Sequence, residues 1–102
     1  MQIPKRIKIG GLVFKVELHD NLTTGQGSYG QMRPVDMKIV IDSTIAKPMQ
    51  ESTFLHEIIE VLNTNLELGM EHKVISAMES GLYQVIKDNP GMFRDEKSKK
   101  CR

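Results

Sequence analysis

Residues 54–66 read Phe54-Leu55-His56-Glu57-Ile58-Ile59-Glu60-Val61-Leu62-Asn63-Thr64-Asn65-Leu66. Leu55, Ile58, Ile59, Leu62 and Leu66 recur at i, i+3, i+4, i+7 and i+11, the spacing of one buried helical face. Pro48 suits the first turn of this helix, where its missing N–H costs nothing, and Gly69 fits as its C-terminal cap. Beyond it, Glu71 to Asp88 predicts a second helix with a stripe of Ile75, Met78, Leu82, Val85 and Ile86, stopped by Asn89-Pro90-Gly91.

Upstream the period changes from 3.6 to 2. Leu12, Phe14, Val16 and Leu18 alternate with Val13, Lys15, Glu17 and His19, which marks a half-buried strand. Ile7 and Ile9 precede it across Gly10-Gly11, so the two runs predict a hairpin. Residues 20–30 are polar and glycine-bearing, and predict a loop. No Lys-Ser/Thr and no helix start follows Gly25, Gly27 and Gly30, so they make no phosphate cradle. Tyr29 to Arg33 predicts a third strand and 36–42 a fourth. The expected fold is α+β: an antiparallel sheet of three to four strands packed against two helices. Residues 1–93 form the domain, and 94–102 (RDEKSKKCR) a basic, disordered tail.

Composition narrows the function classes. A chain of 102 residues suits one domain, burying roughly 65% of the surface its unfolded form exposes. The tail holds five Lys/Arg and two Asp/Glu, and the body nine bases against eleven acids. That near-neutral body argues against a nucleic-acid partner, and five aromatics with no Trp argue against stacking platforms. The single cysteine, Cys101, permits no internal disulfide. The absence of a signal-peptide pattern and of an apolar run of membrane-spanning length predicts a cytoplasmic protein that does not engage membranes.

Chemistry concentrates in the helices. His56 and Glu60 stand at i and i+4 and point the same way. Glu60 lies about 40° from His56 around the helix, Asn63 about 20° to the other side, and the apolar stripe is centred roughly 105° away. In the second helix His72, Glu79 and Tyr83 fall within about 40° of one another. If the helices pack through their apolar stripes, the two polar strips face each other. His56, Glu60 and His72 then offer nitrogen and carboxylate ligands to Zn²⁺, and Glu57, one residue from a ligand but on another face, is placed as general base toward a water. Glu79 is the alternative ligand. It sits ~10.5 Å along the axis from His72, which suits it better to orienting an imidazole from behind. Tyr83 is a candidate oxyanion donor, or with Glu79 a partner that supports a ligand, and also a candidate core residue. His19, at a strand end, reads as structural.

The phrase Leu55-His56-Glu57-Ile58-Ile59-Glu60, followed by a second helix, resembles the metal helix of zincin metallopeptidases. The similarity is to short zincin-like proteins of phage and prophage type and to minimal gluzincins. Ala77-Met78-Glu79-Ser80-Gly81-Leu82-Tyr83-Gln84-Val85 with Asp88-Asn89-Pro90 resembles their second helix. The likeness covers residues 5–91. It implies a small antiparallel sheet, an active-site helix, a third ligand from the following helix, and a peptide or protein substrate bound along the strand at 36–42 by strand addition. It implies a zinc-dependent hydrolase, or an accessory protein that keeps the scaffold with a structural metal or none. Glu60 stands where H-E-x-x-H has its second histidine. An anionic ligand there lowers the charge of the ion, and His72 restores a set of two imidazoles and one carboxylate.

Overall fold

A computed structural model describes residues 1–94; the remainder of the expected tail, 95–102 with Cys101, lies outside the described residues. The elements are β1 (Arg6–Ile9), β2 (Leu12–His19), α1 (Leu22–Gln26), β3 (Gly30–Arg33), β4 (Lys38–Asp42), α2 (Lys47–Asn65) and α3 (His72–Asp88). Gly10 and Gly11 take φ of 58° and 86°. Two successive left-handed residues are what a two-residue hairpin matched to the strand twist needs. β1 and β2 accordingly pair antiparallel with Ile9 beside Leu12.

The sheet order is β1-β2-β4-β3, and β2 pairs with β4 in parallel, so the sheet is mixed rather than wholly antiparallel. The reason lies in β4. Ile39, Val40 and Ile41 are all fully buried, so this strand takes an inner position covered on both faces. β3, half-buried throughout, takes the edge and returns to β4 antiparallel. Both edges of β4 are therefore paired. The strand at 36–42 is not free to receive an added strand, and the open edges belong to β1 and β3. The expected loop at 20–30 contains the five-residue α1. Its Thr23 N–H donates to Asp42 at 2.7 Å, and Asp42 also accepts from the Thr44 N–H at 2.8 Å.

α2 is the middle layer of three. Phe54 and Val61 pack on Ile9, Phe14, Ile39 and Ile41 of the sheet, while Leu55 and Ile59 pack on Ile75 of α3. The single stripe expected from spacing is thus divided between two buried faces, Leu55 and Ile59 toward α3 and Ile58 and Leu62 toward the sheet. Pro48 sits in the first turn as expected. The helix ends at Asn65, leaving Leu66 62% exposed, and Gly69 lies in the connection rather than at the cap. Asn63 ties that connection down, with its side chain bonded to both the N–H and the carbonyl of Met70.

The rotation of α3 also departs from expectation. Ile75, Tyr83 and Ile86 dock on α2, whereas Met78, Leu82 and Val85 are exposed. Polar partners on α2 explain the difference. Glu79 accepts from Ser52 and bonds His56, and the Tyr83 hydroxyl donates to Glu51 at 2.7 Å. These bonds turn the Ile75–Glu79–Tyr83–Ile86 line inward. Among the described residues, no helix is long and apolar enough to cross a membrane.

Candidate metal centre

α2 and α3 meet along a polar seam that opens into a cleft of about 640 Å³. Its floor is α2, through Thr53, His56 and Glu57; one wall is α3, through His72, Ser76 and Glu79; the other is the segment from Gly27 to Gly30 leading into β3. The sheet holds α2 through Phe54 and Val61, so the residues between them in sequence are carried to the cleft by a rigid element.

The two histidines are brought together by this packing. Their ring centroids lie 5.0 Å apart in an edge-on arrangement. Glu60 Oε2 is 3.4 Å from His56 Nε2 and 3.7 Å from His72 Nδ1. The ligand atoms of His56, Glu60 and His72 all fall within 4.8 Å of one another. Two bonds of 2.0–2.1 Å at a tetrahedral angle separate their ends by about 3.3–3.4 Å, so both Glu60 separations lie near that spacing, and the donor types suit a divalent ion of zinc's kind. His72 is 75% exposed at its side chain and His56 only 12%, so the site lies at a lip, anchored on its α2 side.

Glu79 stands behind His56, with Oε1 2.8 Å from Nδ1. A carboxylate only accepts, so in the neutral ring the proton sits on Nδ1 and the lone pair is left on Nε2, toward Glu60 and His72. Ser52 donates to the other oxygen of Glu79 and fixes its plane. Ser52 was not legible as part of the site, because only the docked pose of α3 brings it to Glu79.

Glu57 is 6% exposed, and no hydrogen bond to its carboxylate is found among the described residues. Burial, then the charges of Glu60 and Glu79, push its pKa up to about 7. It lines the cleft next to Gly30, whose missing side chain is what lets β3 approach. Tyr83 lies elsewhere. Its hydroxyl is committed to Glu51, it does not line this cleft, and burial followed by that bond raises its pKa to about 12. His19 bonds Glu17 at 2.9 Å on the opposite face of the sheet and takes no part in the cleft. Comparison with protein-family models finds no match, and neither the curated proteins nor the solved structures contain a relative that matches this chain.

Proposed function

We propose that the chain is a zinc-dependent hydrolase of zincin-like type, acting on an extended peptide. The observation that carries this reading is the convergence of His56, Glu60 and His72 ligand atoms within 4.8 Å at the lip of a cleft that also holds the buried Glu57. Zinc bound there would supply Lewis acidity, polarising a carbonyl and making a water acidic at neutral pH. The same donors also suit Fe, Mn, Co or Ni.

The chain's own residues do the rest. Glu57, with a pKa near neutrality, takes a proton from the water and returns it to the leaving nitrogen, which is most effective when the base titrates close to the working pH. Glu79 and Ser52 hold the His56 ring in the tautomer that leaves Nε2 to ligate. β3 is the outer strand of the sheet and its first residue lines the cleft, so its outer edge suits an extended chain added antiparallel or parallel to it. A second reading draws on the three carboxylates, Glu57, Glu60 and Glu79, gathered around the candidate site: an accessory protein that binds metal, or only a partner segment, without turnover.

The test begins with metal content of untagged protein, wild type beside His56→Ala/His72→Ala. About one zinc per chain, lost in the variant, is expected. No metal in either, even after zinc is added back, overturns the reading. Hydrolysis of a peptide library then separates the alternatives: Glu57→Gln should abolish turnover while zinc stays bound. Turnover unchanged in that variant refutes the mechanism, and zinc without turnover in wild type favours the accessory protein.

A further inference from the structure

At the Lys15 and Lys38 end of the strands, the face of the sheet turned away from α2 carries a row of cations that the sequence does not display as a cluster; farther along that face Val40 and Asp42 are buried. Arg6 pairs with Lys15, Lys15 with Lys38, and Lys38 with Arg33, one residue from each of the four strands. Alternation puts them opposite the core residues Phe14 and Ile39. Lys8, two residues on from Arg6, shares the face. With strands about 4.8 Å apart, the row spans roughly 14 Å.

Little offsets this charge. Glu17, in the next row, bonds His19 and lies 3.4 Å from Lys38. Asp36 sits in the turn between β3 and β4, and Asp42 on the same face is buried and held by Thr23 and Thr44. The Arg33 guanidinium donates to Gln31. Among the described residues Arg6, Lys8 and Lys15 have no ion pair. Like charges directly opposite one another destabilise a sheet. Basic residues on edge strands are a known guard against edge-to-edge pairing. That accounts for Arg6 and Arg33, but not for Lys15 and Lys38 on the two inner strands.

We propose that this face binds the phosphate backbone of a nucleic acid, without reading its sequence. The near-neutral net charge conceals the feature, because the acids are spent elsewhere. Residues 1–42 hold six bases and four acids, and residues 43–94 four bases and seven acids. The register lines the first group up on one face. Duplex DNA presents a charge every ~1.7 Å of axis, so a flat row of this length meets several phosphates. A bilayer fits less well. The strands offer only Val13 as an exposed hydrophobic on this face and no aromatic, so there is no apolar wedge to enter lipid.

The experiment is fluorescence anisotropy of a labelled 20-base-pair duplex titrated with the chelator-treated 102-residue chain, which keeps it independent of the metal reading. Three to four phosphate contacts predict affinity about 40- to 150-fold weaker at 200 mM than at 50 mM salt. Arg6→Gln/Lys15→Gln should weaken binding at 50 mM about tenfold or more and flatten the salt slope by about 2. Its melting temperature should hold or rise, since like-charge contacts are removed; the single Lys15→Gln gives a milder version of the same shift. Lys97→Gln/Lys99→Gln/Lys100→Gln is the comparison for the basic C-terminal stretch. Binding that survives in the sheet variant and vanishes in that one overturns the proposal. So does no binding to duplex at 50 mM salt, or binding to phosphatidylcholine vesicles containing phosphatidylserine but not to duplex.

Discussion

Gly30→Ala tests how tightly the edge strand β3 is seated on α2. A Cβ built there would lie 2.6 Å from Thr53 Cγ2, 3.1 Å from the Val40 carbonyl oxygen and 3.4 Å from Glu57 Oε2. Carbon atoms settle at about 3.5–4.0 Å, so the first contact is short by roughly 1 Å. Gly30 is not in the left-handed region, so the cost is steric alone. Overpacking of this kind costs about 1–3 kcal/mol, and about 2 kcal/mol in a domain this size lowers Tm by roughly 8–16 °C. Thr53→Ser removes the clashing methyl at a loss of about 0.8 kcal/mol. In the double variant the alanine methyl occupies the vacated space. The pair should then be less destabilised than the sum of the single variants by roughly 1–2 kcal/mol. Urea denaturation of the four proteins, followed by circular dichroism, measures that coupling. Additivity within about 0.5 kcal/mol would refute the contact and, with it, the seating of β3 against Glu57.

Other consequences are as direct. Zinc at a hundredfold excess over its Kd should stabilise the fold by about 2.7 kcal/mol, a gain reversed by chelator and absent in His56→Ala, read as a Tm shift. Ile75 is 1% exposed between Leu55 and Ile59, so Ile75→Ala should cost about 2–5 kcal/mol and, by loosening α3, weaken zinc binding measured by competition with a chromophoric chelator. Hydrogen bonds from Thr23 and then Thr44 hold the Asp42 carboxyl well below the ordinary carboxylate range. A depressed folded pKa means that its contribution is complete above about pH 4 and lost as pH falls below it. Between pH 5 and 2 the urea midpoint of wild type should therefore fall more steeply than that of Asp42→Asn. Glu79→Gln keeps the size of the side chain but removes the charge behind His56, and should weaken zinc binding 10- to 100-fold while leaving the Tm of metal-free protein within a few degrees.

Much of the candidate site was legible because it depends on local spacing. His56 and Glu60 share a side of α2 through the i, i+4 relation, and no tertiary contact is needed to place them together. His72 required only that the two helices pack side by side. Glu79, set against His72 as a ligand on the grounds of axial distance, lies behind His56. Ser52 was silent, since a serine in a helix carries no signal of its own. Tyr83 was ambiguous between a role at the site and a place in the core, and the rotation of α3 gave its hydroxyl to Glu51.

What the amino-acid sequence determined by itself was the set of elements apart from the short α1: the glycine-pair hairpin, the alternating strands, and two helices, one opened by Pro48 and the other stopped by Asn89-Pro90. These follow from periodicity and turn chemistry, which act over a few residues. Only the tertiary structure decided which strands pair, which side of each helix is buried, and which charges share a surface. β4 went to an inner position because three successive apolar residues need cover on both faces, and this left β3 at the edge beside the cleft. α2 buried two faces because it lies between the sheet and α3. The cationic row formed because strand register joins residues far apart in the chain. The pairing of β2 with β4, which joins Lys15 to Lys38 and so connects the two hairpins, is non-local, and no short window of sequence contains both partners.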